Sequence, residues 1–244
     1  MEVITSLQPD LFILGLRIQE PITMITDFLI SAVCIYAFIQ IKRKTKTSKL
    51  NSYTQYYFLL MAIATLWGGF FGHGFQYIFG FAMRYPGWYI SMFSIMLIER
   101  ASIEHSRSFI QPKFIKILLY INILELIVLI ALTTITLKFI FVQIHSVYGV
   151  LGVVFGFQLY RFIKDKDKGS LYMLIGVAVA FAAAFVYNFP VILSPWFNNL
   201  DFAHVLMAIA SLYFLKGSLN YQENTKDSLE ELRFSSLGQA SQKP

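Results

Sequence analysis

The sequence contains few charged residues and a single cysteine. Charged side chains make up 14% of the 244 residues, whereas a soluble globular domain carries about 25%. This shortage excludes an ordinary soluble domain, and we do not expect the net charge of +6 to mark a nucleic-acid-binding protein. The lone cysteine, Cys34, excludes an intrachain disulfide and a metal–thiolate cluster. We expect it to be a small buried residue.

Familiar catalytic motifs are also missing. The sequence has no HExxH, P-loop, GxSxG or kinase pattern. No internal repeat is evident, which argues against an inverted-repeat transporter. The N-terminus lacks a basic segment before its first apolar residues, so we expect no cleaved signal peptide. Function must therefore be argued from the placement of individual polar residues.

Hydrophobic residues make up 57% of the sequence and recur in runs of about 20, long enough to cross a hydrocarbon core of about 30 Å as helices. They predict an all-α polytopic membrane protein, a seven-transmembrane-helix bundle with membrane lipids as its surroundings. We expect a single membrane domain over residues 1–220 and a polar, flexible cytoplasmic tail over 221–244. Before the first span, "LFILGLRIQEP" predicts a short interfacial helix. The predicted spans are 22–41, 55–82, 86–106, 115–137, 139–162, 170–193 and 200–219.

The basic residues predict the orientation of these spans. Of the 20 lysines and arginines, 17 lie in the loops after spans one, three and five or at the C-terminal end. Only Arg17, Arg84 and Lys138 lie on the opposite side. Because cytoplasmic loops carry the excess of positive charge, the N-terminus is predicted outside and the C-terminus in the cytoplasm.

Ionisable groups in hydrocarbon are costly, so each one is a candidate for function. With the predicted directions and a rise of 1.5 Å per residue, six polar residues from five spans fall in the outer third of the membrane. Glu125 falls near the middle of span four, and His105 is expected to be solvated in an inner loop. The six residues at the outer depth are Asp27, His73, His145, Asn188, Asp201 and His204.

His73 lies in the stretch "LWGGFFGHGFQYIFG", where four glycines at 68, 69, 72 and 74 surround an ionisable side chain. Gly68 and Gly72 form a GxxxG pair, which is commonly used for close helix packing. The glycines also give a ligand or another backbone room to approach. Imidazoles and carboxylates at one depth suit a divalent metal such as zinc with an open position for water. They equally suit a proton relay or a pocket for a small polar ligand.

Two of the predicted spans resemble a known superfamily. "GGFFGH" in span two and "LDFAHVLMAIASLYFLKG" in span seven are similar to motifs of the seven-helix membrane hydrolases that include alkaline ceramidases, progestin/adipoQ receptors and Per1-type proteins. His73 and His204 match two histidines of that pattern. Gly69 stands at the position of the family's serine, Leu200 at that of another histidine, and Arg84 near that of its aspartate.

The resemblance implies a zinc-dependent hydrolase of a lipid amide or ester, with the polar site in the outer half of the membrane. It implies His73 and His204 as metal ligands and Asp201 as a third ligand or general base, with His145 or Asp27 in support. The alternative is a non-enzymatic receptor, sensor or transport-like bundle that binds a polar ligand, ion or proton in the same pocket. A structural membrane protein packed along its glycines is a third interpretation.

Overall fold

The computed structural model describes residues 8–189 and 193–221. The predicted tail beyond residue 221 lies outside the described residues. Helices dominate this part of the chain, so the prediction of an all-α fold is confirmed. The helices are α1 (Pro21–Lys44), α2 (Lys49–Trp67), α3 (Gln76–Phe79), α4 (Arg84–His105), α5 (Pro112–Thr136), α6 (Ile140–Val147), α7 (Phe155–Asp165), α8 (Lys168–Asn188) and α9 (Asn199–Leu219), with π-helical stretches π1 (Gly68–Gly74) and π2 (Tyr148–Val154) and 3-10 turns Phe81–Met83 and Arg107–Phe109.

The segment before α1 folds differently from the prediction. Instead of an interfacial helix, strands β1 (Leu11–Ile13) and β2 (Leu16–Ile18) form an antiparallel hairpin. Leu14 and Gly15 connect them, both with positive φ, at 51° and 81°. Positive φ at both central positions is typical of the type I′ turn, whose twist matches that of a two-stranded ribbon. The hairpin leads directly into Pro21, the first residue of α1.

Within residues 8–189 and 193–221, six helical segments are long and apolar enough to cross a membrane, so the chain is an integral multi-pass membrane protein. Helix α5 shows this character clearly, because Tyr120, Leu124 and Ile127 are 57–73% exposed on its surface. Helix α4 is 22 residues long, about 33 Å, but it is not apolar enough to belong to this group. The six segments are Pro21–Lys44, Lys49–Gly74, Pro112–Thr136, Ile140–Asp165, Lys168–Asn188 and Asn199–Leu219.

The second segment begins and ends earlier than predicted. Helix α2 starts at Lys49, where the Ser48 side chain accepts a hydrogen bond from the Asn51 amide at 3.1 Å. The glycine-rich stretch then continues the same helix as π1, which ends at Gly74 rather than at residue 82. Gly80, with φ of 80°, separates the short α3 from the turn that leads into α4. The chain therefore leaves the helix directly after His73.

The core lies where α1, α2, α4, α8 and α9 meet, and Cys34, Tyr57, Phe58 and Phe214 are almost completely buried there. Helix α1 packs between α2 and α9, and α8 packs along α9. On another face, α4 packs against α5 and α6 around Met92. These two contact regions position two separate polar clusters.

His105 is buried rather than solvated as the sequence predicted. It is the last residue of α4 and is 4% exposed. Its Nδ1 donates to Gln158 Oε1 at 3.2 Å, and its ring lies 4.0 Å from the ring of Tyr221. Burial raises the pKa of the Tyr221 phenol, which therefore stays neutral. The segment after α9 is thus tied to α4 and α7.

Candidate functional site

The first residues of α1 supply one face of a polar cluster at one end of the bundle. Glu20 is the residue before Pro21, and Thr23 and Asp27 follow at positions that share a helix face with it. Thr26 lies beside Asp27. Its hydroxyl donates to the Thr23 carbonyl at 3.0 Å, so the Thr26 oxygen keeps only its acceptor capacity for a further partner.

The π-helical stretch π1 brings His73 against this face. An added Cβ at Gly69 would lie 2.9 Å from Asp27 Cβ and 3.1 Å from the Met24 carbonyl oxygen. Only glycine lets the backbone at position 69 lie this close to α1. This packing accounts for Gly69 at the position where the superfamily it resembles has serine. Short π-helical stretches inside α-helices occur frequently at functional sites. The glycines therefore serve close packing, and that packing places His73 beside α1.

The start of α9 brings His204 to the same place. Asn198 and Asp201 form a capping box, in which the Asn198 side chain accepts from the Leu200 and Asp201 amides and Asp201 accepts from the Asn198 amide at 2.8 Å. This cap fixes the first turn of α9. His204 is one turn further along and faces α1.

The hydrogen-bond partners indicate that Nδ1 of each imidazole carries a hydrogen. The Thr26 oxygen can only accept, so His204 Nδ1–H donates to it at 3.0 Å. His73 Nδ1 forms a short contact with the Glu20 carboxylate, which also only accepts. Nδ1 of both residues therefore donates, and in the neutral form of each imidazole Nε2 carries the lone pair.

The two Nε2 atoms face one carboxylate. His73 Nε2 lies 3.8 Å from Asp27 Oδ2, and His204 Nε2 lies 3.7 Å from Asp27 Oδ1. These distances are too long for hydrogen bonds, and the two imidazole rings are 6.3 Å apart. Among the described residues, no side chain donates a hydrogen bond to Asp27. With both imidazoles neutral and Asp27 ionised, the two Nε2 atoms and the carboxylate can accept a shared cation or proton.

The cluster is accessible, because the side chains of Glu20, Asp27, His73 and His204 are 8–17% exposed. Arg84, at the start of α4, closes one side. Its guanidinium donates to the Gly72 carbonyl at 2.8 and 3.1 Å and to Gln76 Oε1 at 2.6 Å. Arg84 thereby holds the end of π1 and provides no ligand where the resembled superfamily has an aspartate.

Asp201 lies next to this cluster but is fully engaged elsewhere. One oxygen accepts from Thr23 Oγ1 at 2.7 Å, and the other accepts from Gln8 Nε2 at 2.6 Å as well as from the Asn198 amide. Asp201 is completely buried. We therefore assign it to helix capping and to the contact between α1 and α9, in place of the catalytic or metal-ligating role expected from sequence.

His145 does not join the cluster. It lies on α6, where its Nδ1 is 2.8 and 2.9 Å from the two oxygens of Glu125 and its Nε2 is 2.9 Å from the Met92 carbonyl oxygen. The expectation that His145 supports His73 and His204 is corrected, because α6 packs against α4 and α5. Asn188 also remains outside, since its side chain donates to the Ala184 carbonyl of its own helix.

Sequence reasoning missed Glu20 and Thr26, the partners of the two imidazoles. Glu20 and Asp27 are seven residues apart, a spacing that places both on one face of a helix. That spacing was the available signal for Glu20. Thr26 offered none, since a threonine inside an apolar helix commonly bonds a carbonyl of its own preceding turn.

Fold and cluster together define a class of protein: a helical multi-pass membrane protein in which α1, α9 and π1 enclose a histidine–carboxylate site. The chain belongs to a family of unknown function, DUF6962, which matches residues 22–223. That match includes His73, His204 and Asp27 but begins after Glu20. No curated protein and no solved structure matches the chain.

Proposed function

We propose that the protein is an intramembrane metal-dependent hydrolase acting on a lipid amide or ester. The observation that carries the proposal is the convergence of His73 Nε2 and His204 Nε2 on Asp27, at 3.8 and 3.7 Å. Two imidazoles and a carboxylate form a common ligand set for catalytic zinc, which keeps a further position open for water. Metal-ligating histidines usually donate their other nitrogen to a carboxylate or another oxygen, as His73 donates to Glu20 and His204 to Thr26.

In this proposal, each residue of the site has a distinct task. His73, His204 and Asp27 hold the ion, which when bound lowers the pKa of its water and polarises a carbonyl group. Glu20 and Thr26 keep the two imidazoles in the tautomer that exposes Nε2. The partial exposure of all three ligands gives a substrate access. The two histidines are also the positions that match the ceramidase-type pattern, and their convergence supports the assignment.

We further propose seven spans, with α4 as the third, the N-terminus outside and the C-terminus cytoplasmic. The polar groups of α4 have partners inside the bundle: Glu99 is fully buried, and Arg100 Nε donates to Asn122 Oδ1 of α5 at 2.8 Å. A helix whose charges are satisfied by neighbouring helices can lie at membrane depth. The asymmetry of 17 to 3 basic residues supports the orientation, and in that orientation we propose that the site lies in the outer half of the membrane.

The experiment combines zinc content with hydrolysis by the full-length protein purified in detergent. Vesicles carry fluorescent N-acyl amide and acyl ester lipids, and fatty acid release is measured. We expect zinc-dependent release that falls at least 100-fold in His73→Ala, His204→Ala and Asp27→Asn. His105→Gln, which removes a histidine far from the site, is the matched control and should keep full activity.

Two results contradict the hydrolase. Unchanged release by Asp27→Asn would show that the activity arises elsewhere. Bound zinc without release from any lipid would instead support the alternative, a receptor, sensor or transport-like protein that binds an ion or polar ligand in this pocket. That alternative has its own support in the departures from the hydrolase pattern, since Gly69 and Arg84 have packing roles and neither provides a catalytic group.

A further inference from the structure

A second polar cluster lies between α4, α5 and α6, away from the site formed by α1, π1 and α9. It contains Glu99, Glu125 and His145, one from each helix. Each residue offers one ligand atom, and these three atoms lie within 4.8 Å of one another. Glu99 and His145 are completely buried. Charged groups held together inside a membrane bundle mark a functional site by default.

Hydrogen bonding shows which ring nitrogen of His145 faces the carboxylate of Glu125. A carbonyl oxygen only accepts, so Nε2–H donates to Met92 O at 2.9 Å. Nδ1 then faces both oxygens of Glu125, at 2.8 and 2.9 Å. A lone pair and a carboxylate cannot approach this closely without a positive charge between or on them. A proton on this pair or a metal ion bound to it supplies that charge.

Glu99 provides a second, independent indication of a ligand. Its Oε2 accepts from Asn122 Nδ2 at 2.8 Å, whereas Oε1 is sealed from solvent and accepts no hydrogen bond from any described residue. A buried carboxylate oxygen without a partner is costly. An added Cβ at Gly149, in π2, would lie 2.5 Å from Oε1. Glycine therefore leaves the space that this oxygen occupies.

Glu125 connects the cluster to the protein surface. Its side chain is 15% exposed and lines an open cavity of about 350 Å³ whose other lining residues, apart from Tyr148, are aliphatic. The cluster is thus largely buried, and Glu125 is its most exposed member. An apolar shell of this kind strengthens electrostatic binding of an ion.

We propose that Glu99, Glu125 and His145 form a second metal site, which binds one divalent transition ion such as Mn²⁺ or Zn²⁺ through the two carboxylates and Nδ1. Imidazole and carboxylate ligands suit these ions. Two donors that bind one ion at 2.0–2.2 Å lie no more than about 4.4 Å apart. The observed separations are at most 4.8 Å, so the three side chains must close on a bound ion. This site stands independently of the proposed hydrolase.

The test counts metal in the full-length protein with the first site removed. His73→Ala/His204→Ala protein is saturated with Zn²⁺ or Mn²⁺ alone, separated from free ion, and analysed by mass spectrometry. We expect one equivalent of at least one of these ions per chain, and loss of that equivalent when Glu125→Gln or Glu99→Gln is added. Glu104→Gln, which changes another glutamate of α4 whose partner is Arg107, is the matched control and should leave the equivalent bound.

Two results would overturn this second site. One is the absence of both ions from the double variant while it keeps its cooperative thermal transition. The other is an equivalent that survives both glutamate substitutions. Because Glu125 lies at the edge of the bundle, its glutamine variant keeps the test valid even if Glu99→Gln does not fold. If the first site binds no metal, by contrast, wild-type protein and the His73→Ala/His204→Ala variant will contain the same amount of metal.

Discussion

Substituting Gly69 by alanine tests whether close packing of π1 on α1 builds the first site. The added Cβ would lie 2.9 Å from Asp27 Cβ, 3.0 Å from the Phe28 ring and 3.1 Å from the Met24 carbonyl oxygen, whereas ordinary contacts begin at 3.4 Å. Helix α1 must therefore move away by about 0.5 Å, taken from the closest contact. Overpacking of this kind costs about 1–3 kcal/mol, and about 2 kcal/mol lowers the folding equilibrium constant roughly 30-fold.

The same movement displaces Asp27 from the imidazoles. Because ligand sets must be held within about 0.5 Å of their productive geometry, we expect zinc affinity to fall about 10- to 100-fold, as when an outer partner of a metal site is removed. Gly156→Ala is the matched control, since an added Cβ there meets no atom within 4 Å. Alanine is favoured over glycine in helices by about 1 kcal/mol, so this variant should be as stable as wild type or more so.

The assay is reversible unfolding in mixed micelles, followed by zinc titration of the folded protein. Wild-type stability and wild-type affinity in Gly69→Ala would refute the reasoning. That outcome would mean that the glycine does not set the distance between π1 and α1.

Three further substitutions separate the tasks of neighbouring residues. Thr26→Val removes the acceptor that orients His204, and zinc titration should show affinity about 10- to 100-fold lower with little change in stability; unchanged affinity would remove Thr26 from the site. Glu20→Gln should weaken zinc binding by a similar factor, because an amide orients His73 less strongly than a carboxylate; equal binding would contradict this role. Asp201→Asn puts an NH₂ donor in place of a carboxylate oxygen that accepts a hydrogen bond. We therefore expect the free energy of unfolding to fall by about 1–3 kcal/mol. Loss of zinc at full stability would instead indicate that Asp201 is a ligand.

Most of the helices could be predicted from the apolar runs. A segment that crosses hydrocarbon must be a helix of about 20 residues, whatever its neighbours are. The hairpin before α1 could not be predicted in the same way. "LFILGLRIQEP" contains no Asn-Gly or Asp-Gly turn signal, and Leu14 adopts the positive φ that such residues usually supply. In helix α4, Glu99 and Arg100 interrupt the apolar run, and the sequence does not show that both bond Asn122 of α5.

The sequence predicted that Asp27, His73 and His204 lie at a similar depth in the membrane, because the direction of each span determines the depth of its polar residues. Depth gives no position around the bundle, however. His145 has a similar predicted depth but faces Glu125 on another side. Likewise, from the sequence Asp201 could be either a metal ligand or a helix-capping residue. Its contacts with Thr23 and Gln8 favour the capping role.

The central claim is that one metal ion is held between the two imidazoles at the first site. An anomalous difference map, recorded at the zinc absorption edge from crystals of the zinc-loaded protein, tests it most directly. The account predicts a peak about 2.0–2.1 Å from Nε2 of both His73 and His204 and within bonding distance of Asp27. Zinc-loaded crystals with no peak between these residues, or with a peak bonded only to Glu125 and His145, would contradict it.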